Sequence, residues 1–262
     1  MLTLDPDQIQ HLLAQLFWPF VRIGACFMVA PVFGAAMVPA RVRVVLAAAV
    51  AVLIAPLLPP LPAVTPLSAS GVLITMQQVL IGVALGFCLQ LTFDAVTLGG
   101  QMLANSMGLS FAFNLDPERG GSSSTPALGQ LFTLLVTLTF LALNGHLVLM
   151  QALVRSFTTM PIAAEGLGAA GLQSVVVWGG QLFAGALSIA LPAITALLVV
   201  HLAFGVVSRA APALNLFAVG LPVSLLCGLV IALAGLMAVQ STFIRALEQA
   251  FRMLGALTGA VE

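Results

Sequence analysis

The chain has 262 residues, 61% of them hydrophobic and 6% charged, and its eight basic residues, all arginine, balance eight acids. Soluble domains carry about 25% charged residues, so this composition excludes an ordinary soluble fold, and a net charge of zero excludes the basic footprint of a nucleic-acid binder. Residues 44–93, 120–154, 166–208 and 210–244 hold no Asp, Glu, Lys or Arg; each exceeds the roughly 20 residues that cross a bilayer core as a helix, which makes the chain a polytopic membrane protein.

Six apolar segments follow in order, at about 9–33, 42–58, 71–104, 127–153, 173–207 and 213–254. A chain alone in lipid must satisfy its own backbone, and long continuous runs do so as helices; the short alternating segments of a β-barrel are not the pattern here. The fold expected is therefore all-α. Ahead of the first segment, "MLTLDPDQIQ" carries two acids and no basic residue, unlike the positive start of a signal peptide. Between the first two segments lies "APVFGAAMVPARVRV", in which Pro31 and Pro39 break helices and Arg41 and Arg43 form the tight basic pair of the chain. "APLLPPLPAVTP" reads as a rigid, extended connection.

The third segment carries Gly82 and Gly86, a small-xxx-small pair that lets helices approach closely. Pro192, Pro212 and Pro222 are expected to interrupt the last two segments, and the third and sixth exceed one bilayer crossing. These features point to broken helices and hairpins packed against other protein. Orientation is open: an outside N-terminus puts Arg41, Arg43, Arg119 and Arg209 inside against Arg155, Arg245 and Arg252 outside, a narrow margin under the positive-inside rule.

Several patterns could carry chemistry. "GLGAAG" at 166–171 matches G-x-G-x-x-G in letters, but a dinucleotide site needs a preceding strand and an acid about 20 residues on, so a turn is the better reading. His11, His146 and His201 are scattered, and "NGHL" places His146 at a helix kink or end. Cys26, Cys88 and Cys227 sit singly in apolar runs, as buried thiols do. Arg22 and Asp94 are charges set within apolar segments. Such groups are functional candidates because burial is costly; here proton coupling competes with a structural or inter-subunit pair, or with a snorkelling Arg22.

The strongest local signal is "MGLSFAFNLDPERGGSSSTPALG", residues 107–129. Its first ten residues alternate apolar and small or polar, as an extended, half-buried segment does, although Met107, Phe111 and Leu115 also fall four apart as on a helix. Extended backbone is tolerated at membrane depth only where protein buries it or it borders a water-filled cavity. A pore closure and a surface loop both fit.

The runs "QQVLIGVALGFCLQLTFDAVTLGGQMLANSMGLSFAFNLDP", "APVFGAAMVPARVRV", "LNGHLVLMQALVRSFTTMPI" and "ALPAITALLVVHLAFGVVSRAAPALNLFAVGLP", in this order over nearly the whole chain, resemble the FliR family of the bacterial type III export apparatus. The T-type export proteins of virulence systems are the sister family. The resemblance implies an inner-membrane subunit of the flagellar basal body, non-enzymatic and without a cofactor. It implies partnership with FliP and FliQ in a core joined by FlhB, through which unfolded flagellar subunits pass, and contact with membrane lipid. It further implies one integral membrane export-gate domain over 1–262, FliP-like to about 205 and FliQ-like over about 206–262. In the family the segment matching 107–125 plugs the channel. Carried over residue by residue, the plug is Met107, Gly108, Leu109, Ser110, Phe111, Ala112, Phe113, Asn114, Leu115, Asp116 and Pro117. Pro31, Pro39, Arg41 and Arg43 match the family's first connection, where a structural role is implied. A small-solute secondary transporter is the alternative of a different class, and lacks the inverted repeat expected of one.

Overall fold

The computed structural model describes residues 6–59, 62, 64–66, 68–109, 127–210 and 216–258, with the backbone alone for 6–14 and 216–219. Eight α-helices can be followed among them: α1 (Pro6–Val29), α2 (Ala40–Ile54), α3 (Ala69–Ser106), α4 (Ala127–Ala142), α5 (Gly145–Thr159), α6 (Ala169–Trp178), α7 (Gly180–Ala210) and α8 (Leu216–Leu257). No described residue is in a strand, and the fold is the all-α fold expected of a chain whose apolar stretches must bond their own backbone.

Among the described residues, four stretches are long and apolar enough to cross a bilayer: Ala40–Leu57, Ala69–Ser106, Ala169–Ala210 and Gly220–Leu257, with mean hydropathies of 2.1 to 2.4. A fifth is present if α4 and α5, bent by 65° at their junction, form one broken span. At 38 residues, α3 is about 57 Å long at 1.5 Å per residue, nearly twice the roughly 30 Å of a hydrocarbon core.

Helices stop at the connection that holds Pro31 and Pro39, as expected, but not at Pro192 or Pro222. α7 continues through Pro192 and α8 through Pro222. A proline removes one backbone bond, here the one the Ser188 carbonyl would accept, and helices of this kind tolerate the loss; Thr195 Oγ1 donates to the carbonyls of Leu191 and Pro192, both at 2.9 Å, as helix hydroxyls commonly do. Pro212 lies outside the described residues. The breaks occur instead at Gly179, between α6 and α7, and at Asn144, which takes φ 55° between α4 and α5. Asn enters the left-handed region more readily than most residues, so the kink falls where "NGHL" was expected to put one.

The chain divides into two units. The first holds residues to Leu91, Asn144–Gly179 and Glu248–Glu262; the second holds Thr92–Leu143 and Gly180–Leu247. In the first, Trp18, Phe27, Ile81, Leu85, Leu149 and Phe157 are buried. Here α3 lies hard against α1. A Cβ at Gly82 would stand 2.9 Å from Ala25 Cβ, and one at Gly86 would stand 2.7 Å from the Cys26 carbonyl, so these two glycines permit the close approach. Ser68 caps α3, its hydroxyl accepting the Gly71 N–H at 3.0 Å, which satisfies one of the free donors of a helix start. In the second unit Phe93 meets Phe140 and Phe243 edge to face, with centroids 5.3 and 5.2 Å apart, the geometry that aligns a ring's positive edge with its neighbour's negative face.

Candidate functional site

Arg22 is the one charged residue among the fully buried side chains of the described chain, at 0% exposure. It sits on α1 and reaches two other elements of its unit. Nε donates to Gln78 Oε1 of α3 at 2.8 Å. Nη1 donates to the Ser156 carbonyl at 2.8 Å and to its hydroxyl at 3.1 Å, and Nη2 to the Met160 carbonyl at 2.8 Å. The guanidinium carbon also lies 4.3 Å from the centre of the Phe157 ring, a cation–π distance. Ser156 and Met160 close α5, and a helix end leaves carbonyls without partners and a partial negative charge. The planar fork of arginine matches several acceptors at once. Arg22 therefore caps a helix from inside the protein, and it does not snorkel outward.

Arg43 does similar work on the first connection. Its Nη2 donates to the carbonyls of Ala35 and Val38 at 2.7 and 2.9 Å, while Nε is buried without a partner. Pro31 is buried and Pro39 exposed, at the N-cap of α2; Arg41 is exposed. Between the prolines, Val32 takes φ 70° and the Phe33 N–H reaches the Pro31 carbonyl at 2.9 Å, a tight turn in a region that β-branched residues rarely enter. Stacking of Phe33 on Phe27, with centroids 4.7 Å apart, holds the turn against α1. Asp94, on α3 in the second unit, is half-buried.

Of the expected plug, Met107, Gly108 and Leu109 are described; Ser110, Phe111, Ala112, Phe113, Asn114, Leu115, Asp116 and Pro117 lie outside the described residues. At these first three positions the chain is turn, turn and helix, not the extended conformation that alternation suggested. The Met107 N–H still bonds the Leu103 carbonyl at 3.0 Å, and the Gly108 N–H bonds that of Asn105 at 3.0 Å. Gly108 then takes φ 79°, a conformation that costs glycine little. Met107 is 2% exposed and occupies a notch over Gly228 of α8. A Cβ at Gly228 would fall 2.8 Å from both the sulfur and the terminal methyl of Met107, and closer still to its Cγ. A cavity of about 340 Å³ lies beside the notch, lined by Asn105, His201, Phe204, Leu221 and Ser224 among others. His201 Nε2 and Ser224 Oγ share a hydrogen bond of 3.0 Å across it.

The other expectations resolve briefly. "GLGAAG" is loop at 166–168 and the first turn of α6 at 169–171, and no described strand precedes it. His146 opens α5 beside the kink with Nδ1 buried and without a partner. Cys26 and Cys88 are buried and Cys227 half-buried, and none of the three is in a disulfide. Gly228 escaped the sequence reading, because one glycine in an apolar helix has no signature until its partner is known.

These features define an α-helical multi-pass membrane protein whose polar interior serves the fold. The family model described as "Bacterial export proteins, family 1" matches residues 13–250. Proteins named flagellar biosynthetic protein FliR are similar throughout. Those of Pectobacterium carotovorum subsp. carotovorum and of Escherichia coli (strain K12) are each 38% identical over 229 residues, 87% of either chain. That of Buchnera aphidicola subsp. Schizaphis graminum (strain Sg) is 34% identical over 249 residues, 94% of either chain. The chain belongs to this FliR family of bacterial export proteins.

Proposed function

We propose that the protein is a core subunit of the flagellar type III export gate, which forms with FliP and FliQ the channel that unfolded flagellar subunits cross, and that residues 107–117 plug that channel until assembly or substrate opens it. FlhB joins this core. The subunit works in the bacterial inner membrane at the flagellar basal body and is non-enzymatic. Its first part, to about residue 205, is FliP-like, and the remainder FliQ-like.

The observation that carries the reading, beyond family membership, is the apolar surface left uncovered within each unit. In the second unit Phe183, Val199, Leu202 and Val206 of α7 and Val230 and Met237 of α8 are all exposed. Lipid accounts for about 30 Å of such a helix, whereas α3 and α8 run to 38 and 42 residues. The excess apolar length suits partner helices. The Arg22 geometry adds support against solute coupling: its donors are spent on helix carbonyls, an amide and a hydroxyl, which suits a fixed structural cation and not one that trades protons.

The test is conductance of the complex co-expressed with FliP and FliQ. Removal of residues 110–120 should raise ion leak through it. Unchanged conductance in an assembled complex would refute the plug, and activity of the isolated chain as a solute carrier would refute the gate.

A further inference from the structure

The notch over Gly228 assigns a role to a residue that lies more than a hundred positions beyond the gate segment in sequence. We infer that Gly228 is a positioning residue for that segment: by receiving Met107, it fixes the point at which the chain leaves α3. The inference rests on the plug reading above, and what it adds is the site of anchorage.

The constraint at Gly228 is steric. Any side chain at 228 would overlap Met107, because even a Cβ there meets the thioether at 2.8 Å. Interiors are packed to crystal-like density, and a single added methylene is felt. One step along the chain, Gly108 approaches Leu221 so closely that a Cβ there would stand 2.8 Å from Leu221 Cδ2. Leu221, Ser224 and Gly228 recur at helical spacing on one face of α8. Thus two consecutive residues, the last turn of α3 and its left-handed exit, are held by one face of α8. Glycine serves at both places, once for φ 79° and once to seat Met107 in the notch.

The cavity of about 340 Å³ beside the notch makes the contact a seat that can be vacated. A Met107 displaced from Gly228 has adjoining space to enter, and methionine has three rotatable bonds with which to enter it. Enlarging residue 228 should therefore move the exit of α3 without unfolding the unit.

The test is a size exchange in the complex assembled with FliP and FliQ. Gly228→Leu should raise ion leak several-fold at normal assembly yield. Adding Met107→Ala to Gly228→Leu should return the leak toward the parental value, since the new side chain then fills the room the old one leaves. A role confined to stability would alter yield and leave the leak of assembled complexes unmoved. Parental leak in an assembled Gly228→Leu complex, or no return with Met107→Ala, would overturn the anchorage, whereas the 110–120 deletion judges the plug by itself. Independently of leak, Met107→Cys with Gly228→Cys in a Cys227→Ser background should close a disulfide under mild oxidant, because a Cβ at 228 falls beside Met107 Cγ and bridged Cβ atoms lie about 3.5–4.5 Å apart. Absence of the cross-link overturns the notch whatever the conductance.

Discussion

The two units solve the same packing problem with different chemistry. The first gathers α1, α3 and the end of α5 around a charged group whose bonds have direction: four hydrogen bonds of 2.8 to 3.1 Å from Arg22. The second gathers α3, α4 and α8 around three phenylalanines and seats Met107 over a glycine. Directional bonds lose most of their strength when their angle fails, so the first arrangement has one good geometry. Apolar contacts are individually weak, and even rings that meet edge to face are held less strictly than hydrogen bonds, so the second tolerates small shifts at lower cost. Met107, Gly108 and Leu109, the described start of the expected plug, belong to this second unit.

The largest effect expected from breaking this contrast is at Arg22. Arg22→Leu removes every donor at once and leaves the Met160 carbonyl and the Gln78 side-chain oxygen buried without those partners. An orphaned buried acceptor costs about 1–3 kcal/mol, so a loss of about 3 kcal/mol is expected, read as a large fall in the thermal midpoint of the co-purified complex. Arg22→Lys should recover only part of it, because an ammonium is a point charge and cannot span the fork. A parental midpoint for Arg22→Leu would sink the idea that this residue organises its unit.

How far such a site can be read in advance depends on the range of its contacts. Arg22 stands out in the sequence as a charge inside an apolar run, yet its acceptors at Ser156 and Met160 are 134 and 138 residues away, and no local pattern joins them. Helix identity and most helix positions follow from hydropathy alone, as does the close approach at Gly82 and Gly86, since four-residue spacing puts both on one helix face. Asn144–Gly145 marks its turn by composition. Pro192 and Pro222 mislead because a proline removes one backbone bond, a loss that a long apolar helix tolerates, and both helices run through it. Alternation from Met107 left a helix open, since residues four apart share a helix face, and at 107–109 the chain is turn and helix.

A smaller effect should come from the second unit. Phe93→Leu keeps much of the volume and loses both edge-to-face contacts, worth about 0.5–1.5 kcal/mol each beyond area burial. The expected loss is about 2 kcal/mol, less than at Arg22, since the neighbours can close on the smaller side chain. A loss exceeding that of Arg22→Leu would reverse the contrast between a rigid and a tolerant core.

The smallest effect sharpens the contrast from the other side, because it concerns strain inside the rigid unit. Val32 holds φ 70° in a turn fixed by the Phe33–Phe27 stack and by Arg43 on the carbonyls of Ala35 and Val38. The left-handed conformation costs an L-residue roughly 1–2 kcal/mol, and it persists only where the surroundings over-determine it. Val32→Gly relieves that strain and, against it, adds freedom to the unfolded chain worth about 0.4–1 kcal/mol. The half-buried valine side chain is lost as well. The three terms nearly cancel, so the midpoint should stay level or rise slightly. A marked fall would mean that the valine packs for more than its conformation costs, and that the turn is held by its side chain and not by the arginine and the ring stack around it.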